Sequence, residues 1–107
     1  MKIIFISGPY RAPTKQGIDA NIYAAMHAAK ELWRSGFAVI CPHANTANFD
    51  GVVPDEIFLE GDLEILRRCD AIYMMAGWES SEGAKGEYEL ALALGLDVYY
   101  EQPPGIV

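Results

Sequence analysis

Four short apolar runs recur along the chain, and a stretch of helical period separates each from the next. Residues 2–7 (KIIFIS) are apolar and β-branched and stop at Gly8-Pro9. Residues 37–41 (FAVIC) again end at a proline, residues 70–75 (DAIYMM) run into a Gly/Ser-rich loop, and residues 97–100 (DVYY) precede the tail EQPPGIV. Runs this short, without polar alternation, predict strands buried on both faces. Between the first two, Ile18, Ile22, Ala25, Met26, Ala29, Leu32 and Trp33 share one helical face. That predicts a helix over 18–35 stopped by Ser35-Gly36, with residues 8–17 as a loop. Residues 55–69 predict a second helix, and the stretch 77–95 (GWESSEGAKGEYELALALG) opens as a loop and becomes a third. Residues 42–54 (PHANTANFDGVVP) are a polar loop, too long to be mere connection.

The resulting order, β-α-β-α-β-α-β, implies an α/β fold in which a parallel sheet is covered on both faces. Right-handed crossovers favour strand order 2-1-3-4. We therefore expect one domain over 1–107, a three-layer flavodoxin-like (Rossmann-like) sandwich with four to five strands. In such sheets ligands bind beyond the carboxyl ends, where the strand order reverses. The loops after Ser7, Cys41 and Met75 should then surround one crevice.

Composition narrows the function classes. A chain of 107 residues with 51% hydrophobic and 21% charged residues is a globular domain. A net charge of −7 argues against a nucleic-acid polymer or an anionic membrane as partner. The N-terminus lacks a signal-peptide layout and no apolar run approaches the roughly 18 residues of a membrane span. A cytoplasmic protein is expected, with Cys41 and Cys69 as free thiols. No cofactor is expected, and Cys41 with His43 makes no convincing metal set. His27 should face solvent.

Two acids break the apolar stripes of the last two helices. At about 100° per residue, Gly83, Ala84, Leu90, Ala91 and Leu94 lie within roughly 60° of Glu87, whereas Glu89 points away. By the same count Phe58, Leu59, Ile65, Leu66 and Cys69 surround Asp62. A carboxylate on a core-facing stripe is costly without a partner or a task. A purely structural pairing would explain one such acid as readily as a catalytic role; two at one end of a sheet favour catalysis. Two inward carboxyls suit cleavage at an acetal-like carbon, one attacking or stabilising the cation and one protonating the leaving group. Spacing alone does not assign the roles.

The loops supply candidate binding groups. Ser7-Gly8-Pro9-Tyr10-Arg11 is not a P-loop, yet Gly8 allows close backbone approach and Arg11 can fork an anion. Ser80 and Ser81 precede a helix, where amides and hydroxyls bind anions or simply cap. Trp78 and Tyr10 could stack on a ring. Gly83 completes the substrate-contact set.

Taken together, SGPYR, then GDLEIL followed by CDA, then SEGAKGEYELA, resemble the nucleoside 2-deoxyribosyltransferase superfamily. The motifs are closest to its 2'-deoxynucleoside 5'-monophosphate N-hydrolase branch, in the same order across about residues 3–95. The resemblance implies that Glu87, four residues after Gly83, is the nucleophile, and that Asp62 handles the proton of the leaving base. It implies that Gly8 and Arg11 hold the 5'-phosphate. Ser81 stands where the hydrolases carry a phosphate-binding serine and the transferases an aspartate. Two departures stand out. Phe5 replaces a tyrosine whose hydroxyl lies near the nucleophile, leaving Tyr10 as the alternative source. Relatives also complete each site from a neighbouring subunit, so a homodimer or higher homo-oligomer is expected, and here that contribution would come from the tail or the 42–54 loop.

The leading expectation is therefore hydrolysis or base exchange at the N-glycosidic bond of a 2'-deoxynucleoside or its 5'-monophosphate. A non-catalytic nucleotide-binding module on the same fold is the rival, favoured by Phe5 and opposed by the paired acids. A flavin-binding or receiver-type domain is a third reading; the second needs an acidic cluster after the first strand, which Ser7-Gly8-Pro9 does not provide.

Overall fold

The computed structural model describes residues 1–102. Strands β1 (Ile3–Ser7), β2 (Ala38–Ile40), β3 (Ala71–Met74) and β4 (Asp97–Tyr100) form one all-parallel sheet in the order β2-β1-β3-β4, as expected. Helices α1 (Lys15–Arg34), α2 (Pro42–Asn45), α3 (Asp55–Leu66) and α4 (Glu82–Leu94) make the connections, with a 3-10 turn at Trp78–Ser80.

β1 is the centre of this arrangement. It pairs with β2 on one side and with β3 on the other, Phe5 standing opposite both Ile40 and Ile72. Its residues alternate between the two faces. Ile6 packs with Ala25, Ala28 and Met75, whereas Phe5 packs with Leu66, Cys69, Ile72, Ala84 and Ala91. α1 thus covers one face, and α3 and α4 the other. Burying side chains the size of Phe5 or Leu66 contributes about 2–3 kcal/mol each.

Several local expectations change. α1 begins at Lys15, three residues before the expected start, because the Thr14 hydroxyl accepts from the Gly17 amide at 3.0 Å and caps the first turn. Met26 and Trp33 are 40% and 55% exposed, not in the core. The close helix–sheet approach runs through Ala25 and Ala28, and those two side chains lie roughly 80–100° from Ala25. The 42–54 segment contains α2, opened by Pro42 at its first position. α3 stops at Leu66, and its last residues before β3 are turns. α4 ends where Gly95 takes φ 71°, letting its amide reach the Ala91 and Leu92 carbonyls.

The site follows from the strand order. β1 and β3 are adjacent, but the chain leaves β1 towards β2 and leaves β3 towards β4. Their two following loops diverge and open a cleft beyond the carboxyl ends. No helix among the described residues is long and apolar enough to cross a membrane.

Candidate functional site

A cleft of about 790 Å³ opens there, lined by the first loop from Gly8 to Ala12, by Pro42 and His43, and by residues of α3 and α4. Asp62 and Glu87 both line it. They come from adjacent helices, and neither takes part in an ion pair among the described residues.

The position of Glu87 is finer than its helical angle indicated. Ala84 and Ala91 are buried, while Leu94 is 45% exposed and Gly83 is exposed. The core stripe of α4 is centred on Ala84 and Ala91, so Glu87 sits at its rim, where the stripe meets the cleft. Leu59 is likewise 46% exposed because it borders the cleft instead of the core. Ser7, at the end of β1, donates its hydroxyl to Oε1 of Glu87 at 2.6 Å.

Burial dominates the electrostatics of both acids. It pushes Glu87 from 4.5 up to about 7, the Ser7 hydrogen bond opposing and the Asp62 charge adding to the rise. Burial alone pushes Asp62 from 3.8 up to about 6. Near neutral pH the pair therefore holds about one exchangeable proton.

The remaining predicted residues divide into three groups. Gly8, Tyr10, Arg11, Ser81 and Gly83 line the cleft. A Cβ on Gly8 would stand 2.7 Å from the Met75 Cβ, so this glycine is fixed by strand-end packing whatever it binds. Gly83 has no such requirement, its nearest neighbour being 3.8 Å away. The Ser81 hydroxyl accepts from the Ala84 amide at 3.2 Å, capping α4 with its proton free to donate. Ser7 lies behind Glu87 and not on the cleft wall. Trp78 is also elsewhere: its ring packs on Tyr88 at a centroid distance of 4.5 Å, against the core on the α4 side.

Arg11 and Tyr10 are both engaged. The Arg11 guanidinium donates to Asp55 at 2.6 Å, and the Tyr10 hydroxyl donates to Asp50 at 3.3 Å. Tyr10 thus does not supply the hydroxyl on Glu87; Ser7 does. Asp50 and Asp55 were not foreseen as part of the wall. Asp50 belongs to the 42–54 loop expected at the crevice, whereas Asp55 opens the expected second helix, and polar residues in either place read as solvated. His43 is buried at 5% exposure, its Nε2 donating to the Pro9 carbonyl at 2.9 Å. Burial lowers its pKa, so the ring is neutral and pins the first loop to α2. Of the subunit-completing segments suggested by the resemblance, residues 103–107 of the tail lie outside the described residues, whereas the 42–54 loop contributes Pro42, His43, Thr46 and Asp50 to this chain's own cleft.

Raised carboxyl pKa values make a stability prediction. The folded chain keeps the Glu87 proton at pH values where the unfolded chain has released it, so stability falls as pH rises from about 4.5 through about 7. Glu87→Gln removes this titration and keeps an acceptor for Ser7. The variant should exceed wild type in stability by about 2 kcal/mol near pH 8 and lose most of that margin near pH 4. Urea unfolding at the two pH values measures it; identical pH dependence of variant and wild type would refute the burial of this acid.

A family model described as a domain of unknown function (DUF4406) matches residues 2–100, and the chain belongs to that family. No curated protein matches the chain.

Proposed function

We propose that this member of the DUF4406 family cleaves the N-glycosidic bond of a 2'-deoxynucleoside or its 5'-monophosphate, with Glu87 as nucleophile and Asp62 as general acid and base. The observation that carries the reading is the pair of half-buried carboxyls, without cationic partners among the described residues, in one cleft at the strand ends. The sequence resemblance to the deoxyribosyltransferase superfamily assigns the roles.

In the first step Oε2 of Glu87 attacks C1' and the C1'–N bond breaks. The bonding pair leaves with the base, whose nitrogen takes the Asp62 proton. In the second step Asp62 removes a proton from water, the water oxygen attacks C1', and the glycosyl ester releases Glu87. A second base in place of water makes the reaction a transfer. The productive state has Glu87 ionised and Asp62 protonated. With values of about 7 and about 6, that arrangement is roughly one-tenth of the singly protonated pair in the empty cleft. Positive charge developing at C1' beside Glu87, and the base nitrogen beside Asp62, both favour it.

The N-terminus of α4 with Ser81, together with Arg11, supports binding of a 5'-phosphate. A phosphate has to displace Asp55 from Arg11, whereas a nucleoside does not. Tyr10 is an aromatic on the wall able to stack on the base, and Phe58 lines the same cleft. A homo-oligomer belongs to the same proposal, with Tyr23, Met26 and Trp33 on the exposed side of α1 as apolar surface for a second copy. Sedimentation of the pure chain should then show a species heavier than the 11.8 kDa monomer; a monomer at all concentrations would remove that part of the reading.

Base release from deoxynucleosides and their monophosphates, followed by chromatography with and without an added free base, tests the chemistry. Glu87→Ala should lower release by at least about a thousandfold. Asp62→Asn should lose activity on natural bases but keep a single-turnover burst of release from a deoxyriboside whose leaving group needs no proton, with later turnovers slowed because no base activates the water. The rate should peak in a narrow bell between about pH 6 and about pH 7. Equal background release by wild type and Glu87→Ala would end the catalytic proposal, and saturable binding without release would select the non-catalytic binding module. Asp55→Asn should free Arg11 and lower KM for the monophosphate several-fold without changing KM for the nucleoside. An equal change for both substrates would take Arg11 out of phosphate recognition.

A further inference from the structure

The chemistry proposed above leaves one buried hydroxyl without a stated task. Ser7 is fully buried at the end of the central strand. Its backbone is fixed by its register with Met74 on β3, and its carbonyl accepts from the Met75 amide at 2.8 Å. Its hydroxyl, on a side chain with a single heavy-atom torsion, donates to Oε1 of Glu87 at 2.6 Å. Among the described residues, Oε2 of Glu87 accepts no hydrogen bond.

We infer that Ser7 is a positioning residue for Glu87: its hydroxyl clamps Oε1, so that Oε2 is the oxygen offered to the cleft. The chemical purpose of the clamp rests on the glycosidase reading, although the clamp itself does not. A substrate-contacting role is set aside because Glu87 lines the cleft and Ser7 stands behind it. A filler role does not account for a short bond to an acid on another element. Strand alternation adds a further reason. Ser7 is two residues beyond Phe5 on the same face of β1, and Phe5 is in the core with no hydroxyl to offer. The chain thus supplies from Ser7 the donor that the resemblance expected from a tyrosine at Phe5. A rigid donor on a fully buried site restricts the carboxylate's rotation and favours its ionised form, both of which an attacking group needs.

Titration of Glu87 decides the matter without requiring activity. Protein carrying carbon-13 at the glutamate carboxyl is followed by NMR across the neutral range, with Glu87→Gln to assign the signal. In Ser7→Ala the Glu87 midpoint should rise by about one unit relative to wild type. An unmoved midpoint would overturn the clamp. Should Ser7→Ala fail to fold, the wild-type Ser7 hydroxyl proton is observed instead. A slowly exchanging resonance that shifts as Glu87 titrates supports the clamp, and exchange as fast as that of a surface serine overturns it. Where base release is measurable, Ser7→Ala should reduce kcat on the order of tenfold with KM nearly constant, and should move the alkaline limb of the pH profile, which the higher-titrating Glu87 sets, upwards. A fall confined to KM would instead make Ser7 a binding residue and overturn the clamp. Absence of base release by wild type would count against the glycosidase reading alone, since the titration still judges Ser7.

Discussion

The confinement of β1 between two parallel neighbours is the constraint on which the other features depend. Every backbone group of a central strand is committed to a ladder, so Phe5 and Ser7 must face one helical layer and Ile6 the other. The chain entering at β1 and returning at β3 leaves the two strands adjacent but sends their exits apart. The cleft is a consequence of that divergence. So is the meeting of the first loop with the start of α4, parts of the sequence about 70 residues apart.

Within that frame, desolvation is the main electrostatic effect. Asp62 and Glu87 lose hydration to apolar neighbours without gaining a cation, and both hold their protons well above the ordinary carboxylate range. Ser7 works in the opposite direction on Glu87 but does not cancel burial. The fold accepts some instability at neutral pH in return, as expected where a site's needs and the fold's differ. The acids further out behave otherwise. Asp55 and Asp50 meet Arg11 and Tyr10 at exposed positions, where such pairs are worth little and exchange partners readily. Glu87 is therefore held in place by Ser7, and the outer pairs can yield to a ligand.

The first loop shows how packing and binding share residues. Gly8 is required by the closeness of Met75, and His43 fastens the Pro9 carbonyl from α2. These contacts place Tyr10 and Arg11 at the cleft before any ligand arrives, which lowers the ordering cost of binding. The exposed flank of α1 has no comparable explanation among the described residues.

The sequence by itself determined the four strands, the three long helices and the helical faces of the two acids, because apolar runs, turn residues and helical period are local signals that burial enforces, and the handedness of crossovers then fixed the strand order. It also pointed to the 42–54 segment as more than a connection. Tertiary structure alone decided that Ser7, and not Tyr10, meets Glu87, because a hydrogen bond between residues 80 apart leaves no local pattern. It placed Trp78 against Tyr88 instead of in the cleft, since an aromatic near a loop turns to whichever apolar surface lies within reach. It left Met26 and Trp33 outside the core, because small alanines draw the helix close on a narrower stripe than the hydrophobic residues mark out. It also showed Arg11 and Tyr10 held by Asp55 and Asp50, contacts that depend on where two loops cross and not on what either contains.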